Sequence, residues 1–130
     1  MPHLTVEYSD NLEDTVDMAA FCASMRDAML ETGIFPLGGI RVRAFASHTY
    51  VIADGDPAYG YVNMICKVGA GRTESVREAA ADAIYKAAEA FLKARVSQPL
   101  ALSLDMAELD PVTSLKRYNT IHEHLRAKAS

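Results

Sequence analysis

The second residue of the chain is a proline, and an N-terminal proline can do chemistry that an internal one cannot. Cells commonly remove the first methionine before a small residue, and cleavage after Met1 would give Pro2 a free secondary amine. Ordinary α-amines titrate at about 7.7–8.0, and a hydrophobic pocket or nearby cations lower that pKa further. The neutral amine would be a suitable general base near neutral pH. Proline is common at this position, so the residue alone predicts no activity.

Three arginines are candidates for binding a carboxylate. Arg41 and Arg43 lie on one face of a predicted strand, and Arg72 follows Gly71 at the start of a predicted helix. The planar guanidinium can bind both oxygens of a carboxylate, and free N–H groups at a helix start add to an anion site. The structural alternative is a solvated strand face with surface ion pairs, and a side chain directed to solvent for Arg72.

Hydrophobic periodicity divides the chain into two β-α-β units of similar length. Alternation of apolar and polar residues predicts four strands, at 3–8, 40–46, 61–68 and 100–106. A period of three and four residues predicts one helix inside each unit. The first helix is expected to carry its apolar stripe from Leu12, after a cap within 9–11. The second is expected to be capped by Thr73, or by Ser75 in a capping box.

The economical fold for this pattern is an α+β, two-layer domain in which a four-stranded sheet carries both helices on one face. We expect one domain over 1–130, with units at about 1–46 and 60–107 and a helical arm at 111–127 that packs on a neighbouring subunit. Apolar side chains, Tyr61 and Ile65 among them, are expected on the second sheet face as well. A chain of this size has nothing to cover that face, which predicts an oligomer.

Composition and motifs argue against several functions. The net charge is −4 and no Lys/Arg run occurs, so we expect no nucleic-acid partner. No apolar stretch or signal-peptide pattern is found, so we expect no membrane association and a cytoplasmic location, with Cys22 and Cys66 reduced. His122 and His124 are spaced wrongly for a shared helix face, so no metal site is predicted. No nucleotide-binding or serine-hydrolase motif is present, so no cofactor is predicted.

Longer motifs are more specific. They are MPHLTVEYSDN at 1–11, TGIFPLGGIRVR at 32–43, ADG at 53–55, KVGAGR at 67–72 and LALSLDMAEL at 100–109. Together they resemble the 5-carboxymethyl-2-hydroxymuconate isomerase family over essentially the whole chain. That family belongs to the tautomerase superfamily, with 4-oxalocrotonate tautomerase and macrophage migration inhibitory factor.

The resemblance implies a homotrimer of tautomerase-like fold and an isomerase that works without a cofactor. It implies that Pro2 is the catalytic proton shuttle and that Arg72 and Arg41 bind substrate carboxylates, with Arg43 as a third candidate. The implied reaction converts 5-carboxymethyl-2-hydroxymuconate to its 2-oxo isomer by moving a C=C bond. The implied pathway is the degradation of homoprotocatechuate and 4-hydroxyphenylacetate.

Some neighbouring residues have both a functional and a plainer explanation. His3 could tune the amine of Pro2, although a histidine on a strand is more often structural. Lys67 could lie near the pocket entrance. Phe35 and Phe45 could line the pocket, but packing in the core or at an interface is the safer assumption.

Two other functions stay open at this point. A related N-terminal-proline decarboxylase or dehalogenase would keep the fold and change the reaction, but no glutamate is obviously placed to activate water. A non-catalytic trimeric module that binds a ligand would keep the scaffold alone. A retained Met1 would favour that second alternative over either enzyme.

Overall fold

A four-stranded mixed sheet carries two long helices on one face, as predicted. The computed structural model describes residues 1–129. In chain order its elements are β1 (His3–Ser9), α1 (Met18–Glu31), β2 (Arg41–Ser47), β3 (Gly60–Val68), α2 (Glu74–Lys93), β4 (Leu100–Glu108) and α3 (Ile121–Ala129). Two short 3-10 turns, Asp10–Leu12 and Leu37–Gly39, precede α1 and β2.

The strand order brings distant parts of the sequence to one edge of the sheet. The order is β2-β1-β3-β4, with β1 parallel to β2, β3 parallel to β4, and β1 antiparallel to β3. His3 at the start of β1 is therefore paired with Arg41 at the start of β2 and with Lys67 near the end of β3. Val68 is paired with Glu108 at the end of β4. The N-terminus, the start of β2 and the segments that leave β3 and β4 all meet at this edge.

The core between sheet and helices fixes the position of the central strands. On the helix side β1 and β3 bury alternate residues, and α1 and α2 meet above them through Phe21 and Phe91, whose ring centroids are 5.3 Å apart. Each fully buried large apolar side chain contributes about 1.5–3 kcal/mol. The fully buried members include Leu4, Val6, Leu12, Val62, Met64, Cys66, Val68, Phe21, Met25, Met29, Ile84 and Leu92.

The first helix begins later than its apolar pattern suggests. Residues 10–12 form a 3-10 turn that buries Leu12, and α1 starts only at Met18. The Asp17 carboxylate caps it by accepting hydrogen bonds from the N–H groups of Ala19 (3.0 Å) and Ala20 (3.2 Å). The expected cap within 9–11 was therefore wrong, because Leu12 enters the core from the turn and not from a helix.

The two alternatives for the start of the second helix are resolved in favour of the earlier residue. The hydroxyl of Thr73 accepts a hydrogen bond from the Val76 N–H at 3.3 Å, which makes Thr73 the N-cap of α2. Ser75 lies inside the first turn of that helix, with its hydroxyl 3.3 Å from that of Thr73. The capping-box prediction for Ser75 was wrong.

The C-terminal arm, residues 109–129, also differs from the prediction. Its helix covers only Ile121–Ala129, and residues 109–120 run without helix across one end of the sheet. The arm packs on the Leu37–Gly39 turn of its own chain, where Asn119 Nδ2 donates a hydrogen bond to the Gly38 carbonyl at 3.1 Å. The helix predicted from 111 therefore begins only at Ile121, while packing of the arm on a neighbouring subunit stays a prediction.

The sheet face opposite the helices, here called the outer face, has no cover from this chain. Phe45 and Ile65 are exposed there at 54% and 37%. The face is more polar than predicted, because polar side chains from every strand surround these two. The polar residues are His3, Thr5, Glu7, Arg41, Arg43, Asn63, Lys67, Ser103 and Asp105.

Two simple expectations can be compared with residues 1–129 directly. No helix in this part of the chain is both long and apolar enough to span a membrane. Cys22 and Cys66 are free thiols, as predicted. Burial raises the pKa of the Cys66 thiol to about 11, so this side chain behaves as a small apolar core residue.

The capping role of Asp17 gives a test of where α1 begins. Asp17→Ala removes the acceptor for two helix N–H groups and should cost about 1 kcal/mol of unfolding free energy. Asp14→Ala is the matched control, because Asp14 is exposed and precedes the helix. Urea denaturation of both variants measures the difference. Equal costs, or a larger cost at Asp14, would contradict a helix start at Met18.

Candidate active site

Pro2 is held rigidly at the edge of the sheet. Its ring is fully buried, and its carbonyl accepts a hydrogen bond from the Arg41 N–H at 3.1 Å, which continues the β1–β2 pairing by one residue. A Cβ placed on Gly39 would lie 3.5 Å from both the Pro2 Cδ and the Met1 Cα, so the Leu37–Gly39 turn directly borders the ring. The ring nitrogen is therefore fixed in position, with half-buried Met1 leading away from it.

Three cations converge on the terminal amine. Burial, and then the positive charges of Lys116, Arg72 and Arg41, lower the pKa of the Met1 amine below its ordinary value. Lys116 also lies within hydrogen-bonding reach of that amine. The three side chains come from the arm, the β3–α2 turn and the start of β2, and we call them the cation cluster.

Backbone carbonyls hold the Arg41 guanidinium in place. Its Nη1 donates to the Gly38 carbonyl at 2.9 Å and to the Ile40 carbonyl at 3.2 Å. Asn119 donates to the same Gly38 oxygen, so the arm and Arg41 share one acceptor. Neither bond neutralises the charge, because a carbonyl oxygen is a dipole without net charge.

Arg72 is held in the same way. Its Nη2 donates to the Ile34 carbonyl at 2.9 Å and its Nη1 to the Gly69 carbonyl at 3.3 Å. The guanidinium also lies 5.0 Å from the ring centroid of Phe35, a cation–π distance. Phe35 is buried, so the Arg72 guanidinium packs against the ring of a core residue.

Within residues 1–129 the cation cluster has no acidic partner. The ion pairs in residues 1–129 lie elsewhere, and none of them involves Arg41, Arg72 or Lys116. In the same part of the chain no three His, Cys, Asp or Glu side chains are placed to hold a metal ion. Positive groups gathered without counter-charge form a site for an anion, and carboxylate binding by guanidinium is the expected chemistry.

Arg43 and Lys67 lie beside His3 on the outer face, which Arg41 of the cluster shares. Arg43 Nη1 is 3.2 Å from His3 Nδ1, and Lys67 is paired with His3 across β1 and β3. Burial lowers the pKa of His3, and Arg43, Arg41, the terminal amine and Lys67 lower it further. The structure thus brings together Pro2, Arg41 and Arg72 of the predicted site residues, while Arg43 acts on His3.

Sequence reasoning missed the contribution of the arm. A Cβ on Gly38 would lie 2.3 Å from His122 Nδ1, so the imidazole fills the space that a larger residue at position 38 would need. Asn119 anchors the segment just before α3, and Lys116 reaches the amine. Asn119 is a residue type that favours a helix start, but no pattern in one sequence marks Lys116.

The tandem β-α-β units and their four-stranded mixed sheet form a tautomerase-like fold. A fused 4-OT protein, solved as a symmetric trimer, has this fold: its TM-score is 0.68 at 19% identity, over 92% of this chain and 98% of that one. The chain belongs to the 5-carboxymethyl-2-hydroxymuconate isomerase family, whose model matches residues 2–125.

Two relatives are similar along their whole length. The chain is 37% identical over 123 residues to 5-carboxymethyl-2-hydroxymuconate Delta-isomerase of Escherichia coli, covering 94% of this chain and 97% of that protein. The crystal structure of a 5-carboxymethyl-2-hydroxymuconate isomerase from Deinococcus radiodurans superimposes with a TM-score of 0.86 at 32% identity. That match covers 96% of this chain and 94% of the other.

The contact between Gly38 and His122 can be tested by substitution. Gly38→Ala should displace the His122 ring at a cost of about 1–3 kcal/mol and loosen the arm from the Leu37–Gly39 turn. Hydrogen exchange of residues 119–124 measures the loosening as roughly tenfold faster exchange. The double variant with His122→Ala should recover much of the protection relative to Gly38→Ala. Unchanged exchange in Gly38→Ala would contradict the packing described.

Proposed function

We propose that this chain isomerises 5-carboxymethyl-2-hydroxymuconate to its 2-oxo isomer, with the Pro2 amine as proton shuttle after removal of Met1. The observation that carries the proposal is the terminal amine inside a cluster of three cations without acidic partners. The names of the two relatives supply the substrate. Membership of an isomerase family supports the class of reaction.

The reaction moves one proton within one molecule, so it needs no redox partner or cofactor. The Pro2 nitrogen takes the proton of the 2-hydroxyl group and returns it to a carbon further along the conjugated chain. The C=C bond shifts as the 2-oxygen becomes a ketone. Negative charge builds on the 2-oxygen beside its carboxylate, and Arg41 and Arg72 are placed to stabilise it. Both arginines are already oriented by carbonyls, so little reorganisation is needed.

Burial and positive charge favour the neutral, basic form of the amine. Each cation disfavours a second positive charge nearby, so the cluster lowers the pKa of the Met1 amine. The nitrogen of Pro2 is one residue away and is flanked by the same groups once Met1 is removed. A lowered pKa means that the neutral base persists to lower pH than for an ordinary amine.

The cellular setting and assembly belong to the same proposal. We expect a single domain that acts in the cytoplasm, in the degradation of homoprotocatechuate and 4-hydroxyphenylacetate. We expect a homotrimer that covers the outer face, since Phe45 and Ile65 are exposed there and the fused 4-OT protein of similar fold is a symmetric trimer.

Pro2→Ala tests the catalytic group. It exchanges the rigid secondary amine for a primary amine, and we expect kcat/KM to fall by about 10²-fold or more. The loss of ultraviolet absorbance of 5-carboxymethyl-2-hydroxymuconate measures the rate. In wild type the acidic limb of the kcat/KM profile should lie below pH 8, because the base form is lost as pH falls through a lowered pKa.

Two controls accompany the Pro2→Ala variant. Intact mass must show that Met1 is absent from both proteins, and size-exclusion chromatography should show the same oligomer. A variant as active as wild type would contradict the role of Pro2. A Met1-free wild type that does not accelerate ketonisation would overturn the proposed reaction.

Arg72→Ala and Arg43→Ala together test which arginine binds substrate. Loss of a hydrogen bond to a charged group costs about 1.5–3 kcal/mol, so Arg72→Ala should lower kcat/KM by roughly 10–150-fold, mainly through KM. Arg43 carries the same charge on the outer face and acts on His3, so Arg43→Ala should have the smaller effect. Steady-state kinetics of both variants make the comparison. Equal losses of kcat/KM in the two variants would indicate that Arg43 also binds substrate.

A further inference from the structure

The arm crosses the candidate site and is hydrogen-bonded to the rest of the domain at both ends. At one end the Leu109 N–H donates to the Val68 carbonyl at 2.8 Å, next to the turn that carries Arg72. At the other end Asn119 donates to the Gly38 carbonyl, next to Arg41. The segment between these two hydrogen bonds runs past the terminal amine and contains Lys116.

Lys116 lies beside the turn that carries Arg72, at the same end of the sheet as the terminal amine. Its Nζ would lie 3.3 Å from a Cβ placed on Gly69, so the ammonium sits directly over that glycine. The Gly69 carbonyl also accepts from Arg72, which brings two cations to one residue. Two other lysines of this chain do have acidic partners: Lys86 pairs with Asp82 at 2.8 Å and Lys93 lies 3.8 Å from Glu89.

No carboxylate of residues 1–129 pairs with Lys116, although it faces another amine and two guanidinium groups. Like charges held together repel, and an anion placed between them would relieve the repulsion. The lysine is exposed and keeps its flexible stem, whereas both arginines are anchored by two carbonyls each. The site therefore offers two fixed planar cations and one mobile compact cation.

We propose that Lys116 binds the carboxymethyl carboxylate of the substrate and makes the enzyme selective for substrates that carry it. This inference rests on the proposed function. The other two carboxylates of 5-carboxymethyl-2-hydroxymuconate are conjugated with the dienol and lie in its plane, which suits the fixed forks of Arg41 and Arg72. The third carboxylate is joined to the diene through an sp3 methylene and rotates freely, which suits a mobile ammonium at the rim.

The carboxymethyl carboxylate gains no charge during ketonisation, because it is not conjugated with the reacting atoms. Its binding energy is therefore the same in the ground state and in the transition state. Removing such uniform binding raises KM and leaves kcat unchanged. Lys116 is in this respect a specificity-determining residue and takes no part in the proton transfer.

The test compares Lys116→Gln with Arg117→Gln, a matched loss of one positive charge at the next, exposed position of the arm. The substrates are 5-carboxymethyl-2-hydroxymuconate and 2-hydroxymuconate, which lacks the carboxymethyl group. Rates are measured on the alkaline plateau, where the amine is neutral in every variant. For Lys116→Gln we expect KM for the first substrate to rise about tenfold, with kcat within twofold and 2-hydroxymuconate unaffected. Arg117→Gln should change neither.

Two results would overturn the inference while leaving the reaction intact. An equal loss on both substrates would mean that Lys116 binds a carboxylate that both substrates share, and no change on either would leave Lys116 only its effect on the pKa of the amine. If wild type turns over neither substrate, the proposed function has failed. The role of Lys116 is then tested separately by calorimetric binding of propane-1,2,3-tricarboxylate and glutarate. Only the tricarboxylate should bind more weakly to Lys116→Gln than to wild type.

Discussion

Like charges held together without counter-charge are the constraint on which this structure depends. The positive charges of Lys116, Arg72 and Arg41 disfavour a further positive charge on the terminal amine, so like charges repel one another at the N-terminus. The repulsion can be relieved in two ways, by loss of the amine proton or by arrival of an anion. Both suit a site that needs a neutral base beside a polycarboxylate. The repulsion that lowers stability at this edge of the sheet is a consequence of that function.

Carbonyl groups make this arrangement possible. An arginine held by a carboxylate would be oriented and neutralised together, whereas Arg41 and Arg72 are oriented by carbonyl oxygens and keep their charge. Those carbonyls belong to the turns that precede β2 and follow β3. The sheet topology brings both turns to the start of β1, so the pairing of β1 with β2 and β3 positions the site as well as the core.

Much of the fold and part of the site follow from local patterns in the sequence. Strands alternate clearly enough to be predicted within a few residues, and the resemblance named Pro2, Arg41 and Arg72. The polarity of the outer face was misjudged because Tyr61 and Ile65 were weighed within their own strand, while their neighbours Glu7 and Asp105 come from other strands. Periodicity describes one element, and the mixture of side chains on a sheet face depends on register.

The arm could not be predicted for a related reason. Lys116 lies in a segment without regular period, and its position depends on a fastening between Asn119 and Gly38 that is distant in sequence. The arm can pack there only because Gly38 has no side chain. From the local sequence alone, that glycine would be explained by the turn. The role of a residue on an irregular segment depends on the surface against which that segment packs. Such a role can therefore be recognised only from the folded structure.

Removal of Met1 has a double consequence for the proposed chemistry. While Met1 is present, the Pro2 nitrogen is an amide and cannot act as a base. The Met1 amine also lies within reach of Lys116 and close to both arginines, in the space where an anionic substrate would bind. On the proposed mechanism the unprocessed chain would lack both the base and the space for the anion. One cleavage would supply both, and the cations around the primary amine of Met1 would then surround the secondary amine of Pro2.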